Sequence, residues 1–213
     1  MEELNTFWPE EEPVFTPRGE CDDTGWLCTG VGIPAALGAL LTALPQPCPE
    51  LVMQIGIAGA YPHSGLKIGD VVICESEQYG DIGFELPAPP GFLPLRSTPF
   101  TQSLYNREIP LSLPAEWIYH PNVRIVKGCT VNNCTGTEFT GELREELYGT
   151  QVESMEGAAA AQAGEICRIP VCEIRAISNI ASTRDMRPEN IVHSLNNLRS
   201  YLQACKGCQL SQS

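Results

Sequence analysis

The sequence predicts a three-layer α/β sandwich around a central mixed, mostly parallel sheet, and three observations predict it. Apolar runs of strand length stand at residues 51–55, 71–74 and 170–178. Helical segments stand between and after them, at 34–44, 157–167 and 188–205. Strands that alternate with helices pack as a sheet with helices on both faces, and a chain of 213 residues holds one such domain.

The elements follow in order. Residues 1–23 are acidic, polar and proline-containing, and read as a loop or the remnant of a helix. Residues 26–29 read as a short buried strand. Gly30-Val31-Gly32 then leads into a helix that carries Pro34 in its first turn. The strand at 51–55 ends in Gly56-Ile57-Ala58-Gly59, and Lys67-Ile68-Gly69-Asp70 is a turn before the strand at 71–74. Residues 86–99, with Pro87, Pro89, Pro90, Pro94 and Pro99, read as an irregular covering loop. A strand is expected at 124–126, a polar helix at 140–148 and a short strand at 152–154. The domain is expected to span 24–204, with a polar tail at 205–213.

Thirteen basic against 26 acidic residues give a formal charge of −13. Such a chain repels phosphate backbones and anionic lipid surfaces, so nucleic acid and membrane are excluded as expected partners. No apolar run is long enough to span a bilayer. The ten cysteines accompany an acidic start, Met1-Glu2-Glu3-Leu4, without the basic-then-apolar pattern of a signal peptide. Reduced, buried thiols in a cytoplasmic protein are the expectation. Only Cys205-Lys206-Gly207-Cys208 has metal-like spacing; it lacks a second pair or a nearby histidine, so no metal is expected.

Four constellations could carry chemistry. Gly30-Val31-Gly32-Ile33-Pro34-Ala35 fits a loose dinucleotide fingerprint, but Glu50 stands at the wrong end of the next strand to hold a ribose. Close helix–strand packing is the better reading of those glycines, and no organic cofactor is expected. Gly56-Ile57-Ala58-Gly59 is equally a tight turn or a place where a ligand approaches backbone. Glu156 opens an alanine-rich helix, where the helix dipole stabilises a carboxylate. It is therefore either a helix-starting charge or a site residue, and Glu153 is a second carboxylate beside an apolar segment that needs a partner. In the strand at 170–178 and just beyond, Glu173, Arg175, Ile177 and Asn179 share a face. An arginine in a buried strand implies a held carboxylate, with Glu156 the natural candidate. Asn179 would stand at the strand's carboxyl end, where open α/β sheets bind ligands. A purely structural Glu–Arg pair is the rival reading.

Val152-Glu153-Ser154-Met155-Glu156-Gly157-Ala158 with Arg175-Ala176-Ile177-Ser178-Asn179 resembles the nucleoside phosphorylase and nucleosidase superfamily, and within it the futalosine hydrolase branch. Gly56-Ile57-Ala58-Gly59-Ala60, Ile68-Gly69-Asp70-Val71-Val72, Tyr79-Gly80-Asp81-Ile82-Gly83 and Thr130-Val131-Asn132-Asn133 fit the same pattern, so the resemblance covers about residues 24–200. It implies hydrolysis of the N-glycosidic bond of a purine nucleoside, without metal or organic cofactor. It assigns Glu156 to the ribose hydroxyls, Met155 to the sugar face, Arg175 to orienting Glu156 and Asn179 to the purine. Asn133 and Cys134 would line the base pocket, beside Ala58 and Gly59. It also implies a homodimer or higher homo-oligomer.

One departure is expected. Family members open with an apolar strand followed by a water-activating glutamate, and Met1-Glu2-Glu3-Leu4 matches only the end of the helix beyond it. The first strand therefore reads as missing, and no residue inherits the water-activating role. The alternatives are a methylthioadenosine or adenosylhomocysteine nucleosidase, a phosphorylase, for which no basic cluster stands out, and a shortened, inactive nucleoside-binding protein.

Overall fold

The structure, a computed structural model, describes residues 15–17, 25–45, 47–99, 107–118, 123–183 and 185–210. The expectations of a missing first strand and a missing water-activating glutamate fall on residues outside these. The elements are β1 (Phe15–Pro17), β2 (Gly25–Leu27), α1 (Ile33–Ala43), β3 (Val52–Ala60), β4 (Val71–Tyr79), β5 (Gly83–Glu85), β6 (Phe92–Pro94), β7 (Ile109–Pro110), α2 (Ala115–Ile118), β8 (Val123–Thr130), α3 (Glu138–Tyr148), β9 (Val152–Ser154), α4 (Gly157–Cys167), β10 (Val171–Ile180) and α5 (Pro188–Leu210).

The central sheet runs β10-β3-β9-β8-β4-β7, and β10 also pairs with β4, so five strands close a ring. The long ladders, β10 on β3 and β4 on β8, are parallel; β9 on β3, β7 on β4 and β4 on β10 are antiparallel. Closure is possible because β4 changes neighbour along its length. Residues 71–74 face β10, while Ser76 and Glu77 face β7. The helices take both sides. On one side α5 and α2 lay Leu198, Tyr201, Cys205 and Trp117 on Val71, Ile73, Cys172 and Ile174. On the other, Ala160 and Ala163 of α4 pack with Leu40 of α1 and Val171. The alanines let α4 settle close to the strands, and 158–161 and Ala163 are all buried.

Several boundaries differ from the sequence expectation. Gly56-Ile57-Ala58-Gly59 is not a turn: β3 runs through it to Ala60. β4 continues to Tyr79: Ser76 and Glu77, beyond the end of the apolar run, sit in the ladder, and Glu75 stands at a register shift. Trp26 is not buried. Its strand pairs with β1 in a separate two-stranded ribbon and the indole is 47% exposed. The proline-rich cover contains the short β6, which folds back on β5 just before it. The last helix reaches Leu210, beyond the expected end at Cys205. Of the cysteines, Cys74, Cys129, Cys172 and Cys205 are buried as expected, whereas Cys28 and Cys48 are exposed; none of these is in a disulfide.

Candidate active site

The carboxyl ends of β3, β8 and β10 and the start of α4 converge, the position at which open α/β sheets place their ligands. Glu156 lies at this junction, at the N-cap of α4, yet it does not cap the helix. The first free amides of α4 are taken by other side chains: Ser154 Oγ accepts from Gly157 N at 3.1 Å and Thr130 Oγ1 accepts from Ala158 N at 2.7 Å. Glu156 is thereby released from the helix. Its Oε1 accepts from Gly32 N at 3.0 Å and its Oε2 from Arg175 Nη1 at 3.4 Å. The side chain keeps 14% of its surface open. A carboxylate held on both oxygens, with lone pairs still open, is set to accept from hydroxyl groups of a ligand.

Arg175 is 2% exposed and fixed from behind, its Nε donating to Glu173 Oε1 at 2.7 Å. Burial works against its charge, but Glu173 and Glu156 outweigh burial and hold its pKa above the ordinary arginine value. The guanidinium needs the bare backbone of β3: a Cβ on Gly56 would stand 2.5 Å from Nη1. The close approach expected at this glycine is therefore made by the protein's own arginine. Gly56→Ala should push Arg175 off Glu156 and overpack a buried site, lowering stability by about 1–3 kcal/mol. Thermal unfolding of the variant checks this, and a melting temperature equal to the wild type would contradict it.

Asn179 is 7% exposed, beside Gly59, whose Cβ would stand 3.1 Å from Nδ2. Nδ2 donates to Ile180 O at 3.2 Å, and Oδ1 accepts from Ser178 Oγ at 3.0 Å. A carbonyl only accepts, so the amide nitrogen must face Ile180, and one N–H remains for a ligand. The register of β10 on β3 shifts between Ile177 and Asn179. Strict alternation therefore holds for Glu173 and Arg175 but is broken at Asn179, whose direction is set by a bulge.

The loop beyond β8 closes the other side. Asp81 Oδ2 accepts from Asn132 N at 2.6 Å and Asn133 N at 2.9 Å, and Asn132 Oδ1 accepts from Ile33 N at 3.2 Å. The glycine loop and the asparagine loop are thus tied together, and Gly30 and Gly32 both have positive φ. These glycines do more than pack helix on strand, since Gly32 presents its amide to Glu156. Met155 and Cys134 are half-buried, Asn133 is exposed and Ala58 is buried, its carbonyl oxygen 3.3 Å from Ser178 Oγ.

Glu153 belongs elsewhere. It accepts from Thr135 N and Oγ1, from Arg144 Nη1 at 2.8 Å and from Tyr61 Oη, a complete set of partners for a buried carboxylate. Sequence reasoning gave no site role to Asp81, Asn132, Gly32, Glu77 or Thr130. Asp81, Thr130 and Asn132 stood within motifs that fit the family pattern and Gly32 within the loose glycine fingerprint, whereas Glu77 carried no signal. A cavity of about 260 Å³ between Asp81, Phe92, Phe139 and Leu143 lies beyond the loop and includes none of the predicted site residues.

Residues 18–208 match the phosphorylase superfamily. The chain is 32% identical to futalosine hydrolase of Thermus thermophilus over 75% of this chain and 71% of that protein. It is 29% identical to the 5'-methylthioadenosine/S-adenosylhomocysteine nucleosidase of Tolumonas auensis over 73% and 67%. The native structure of futalosine hydrolase of Helicobacter pylori has the same fold, with TM-score 0.70 at 18% identity over 92% of this chain and 87% of that one. The S-adenosylhomocysteine nucleosidase of Streptococcus pyogenes has it too, with TM-score 0.67 at 19% identity over 84% and 78%. On its sequence match and its fold, the chain belongs to the phosphorylase superfamily.

Proposed function

We propose that this protein hydrolyses the N-glycosidic bond of futalosine, releasing hypoxanthine and dehypoxanthine futalosine in a route to menaquinone. The observation that carries the reading is Glu156, freed from helix capping by Ser154 and Thr130 and aimed by Gly32 and Arg175. The two futalosine hydrolases of Thermus thermophilus and Streptomyces coelicolor, at 32% and 33% identity, support the choice of substrate.

In this mechanism Glu156 accepts hydrogen bonds from the ribose hydroxyls. As the base departs, positive charge grows on the sugar ring, and the carboxylate holds the polarised hydroxyls more firmly than in the ground state. Met155 lies against the sugar. Asn179 donates its remaining N–H to the purine, with Asn133, Cys134, Ala58 and Gly59 around the base. Water takes the place of the base. The ligand is a small nucleoside, and neither nucleic acid nor a membrane is involved; no helix among the described residues is long and apolar enough to cross one. The many buried thiols suit the cytoplasm, and the protein acts as a homodimer or larger homo-oligomer.

Chromatography of purified protein incubated with futalosine tests the reading. Hypoxanthine should appear without added phosphate. Release that requires phosphate would make the protein a phosphorylase, and no release would remove the assignment.

A further inference from the structure

Behind Arg175 lies a buried pair of carboxyl groups that the ribose-holding role leaves unexplained. Glu77 on β4 and Glu173 on β10 are both 0% exposed. Two glycines make the space for them. A Cβ on Gly157 would stand 2.5 Å from Glu77 Oε1 and 2.5 and 2.6 Å from the two oxygens of Glu173; one on Gly128 would stand 2.0 Å from Glu77 Oε1. The carboxyls are thus crowded onto the bare Cα of Gly157. Two ionised carboxylates in a dry interior repel strongly unless cations compensate them.

The surroundings offer too little compensation. From β10 comes Arg175, whose Nε is on Glu173 and whose Nη1 is already shared with Glu156. From β4, β8 and β10 come the thiols of Cys74, Cys129 and Cys172, and burial pushes the first two well above the ordinary thiol range, so they stay neutral. From α4 come only the Gly157 and Ala158 amides, both already accepted elsewhere. With both dyad members ionised, one arginine would face three carboxylates.

The hydrogen bonds say where a proton would sit. Thr130 Oγ1 accepts from Ala158 N and has two neighbours for its own hydrogen, Glu77 Oε2 at 2.8 Å and Ser154 Oγ at 3.4 Å; the shorter contact takes it, which makes Glu77 Oε2 an acceptor. Glu77 Oε1 and Glu173 Oε2 are the two carboxyl oxygens of the pair without a hydrogen-bond partner. We propose that Glu77 and Glu173 share one proton, carried on Glu77 Oε1 and directed at Glu173, and that the singly charged pair is a positioning device that aims Arg175 at Glu156. Burial first, and the neighbouring Glu173 second, raise the Glu77 pKa well above the ordinary glutamic-acid value, in keeping with this. A cation held by Cys74, Glu77 and Glu173, whose ligand atoms lie within 4.8 Å of one another, is the competing way to neutralise the pair. The arginine already seated on Glu173 and the two glycine walls favour the proton.

Infrared spectroscopy tests the proton directly. At about pH 8, where exposed carboxyls are ionised, the wild type should retain a protonated-carboxyl C=O band that moves in D2O and is lost in Glu77→Gln. Absence of that band in the wild type, or one equivalent of a divalent cation in the purified protein, would overturn the proposal. The wild-type band decides the matter even if the variant does not fold. Stability supplies the second readout. A carboxyl whose folded pKa is raised contributes stability below its unfolded pKa and loses it as pH rises toward the folded pKa. The gain in melting temperature of Glu77→Gln over wild type should therefore be small at about pH 5 and reach about 10 °C or more by about pH 8; parallel curves would contradict this. The aiming of Arg175 rests on the nucleosidase reading. Glu173→Gln should lower kcat about tenfold with KM nearly unchanged, and unchanged kcat would refute the positioning role. A wild type that cleaves no nucleoside would remove the proposed function while leaving the infrared and melting results to decide the proton.

Discussion

Glu156→Gln should lower kcat by about 100-fold or more while the fold stays intact, the scale at which a preorganised charge-stabilising contact counts. The substitution preserves shape and alters two things. It removes the negative charge that answers the growing positive charge of the sugar, and it replaces one acceptor oxygen by a donor that would oppose Gly32 N or Arg175 Nη1. Folding is protected because the two α4 amides are capped by Ser154 and Thr130, and because Arg175 retains Glu173. Steady-state kinetics with circular dichroism separates the two effects. Turnover like wild type in a folded variant would return Glu156 to the role of a structural partner of Arg175.

Asn179→Asp should shift preference from 6-oxopurine toward adenine nucleosides by about tenfold or more, the scale of a lost or gained buried hydrogen bond in substrate choice. The wild-type amide has spent one N–H on Ile180 O and its oxygen on Ser178, leaving a donor for the oxygen or N7 of hypoxanthine. A carboxyl in that place accepts from an exocyclic amine and, when protonated, donates to N7. It also turns an acceptor against Ile180 O, so the variant should lose some stability. The ratio of kcat/KM for methylthioadenosine and futalosine checks the shift, and an unchanged ratio would show that Asn179 does not touch the base.

The sandwich was legible because its long strands and alanine-rich helix are apolar and periodic. What escaped was whatever violates that pattern. The strand expected at 71–74 stops where its apolar run stops, whereas β4 runs on to Tyr79 with Glu77 wholly buried. A buried acid is invisible in a single chain until its partners are known, and those of Glu77 come from residues 53 and 96 positions away, Thr130 and Glu173. The Arg175–Glu156 pairing was readable, since an arginine inside an apolar strand demands a counter-ion. The nearer partner, Glu173, stood on the same face two residues earlier and was passed over. Gly56 read equally as a turn or a place of close approach, because the sequence shows only that a Cβ is absent, not which neighbour fills the space; the neighbour is Arg175. Glu153 read only as a carboxylate in need of a partner, and Thr135, Arg144 and Tyr61 supply it.

The most direct measurement is kcat/KM on one preparation, without phosphate, for futalosine and for methylthioadenosine. Preferential release of hypoxanthine from futalosine is the predicted result. Preference for methylthioadenosine, or release of neither base, would contradict the account.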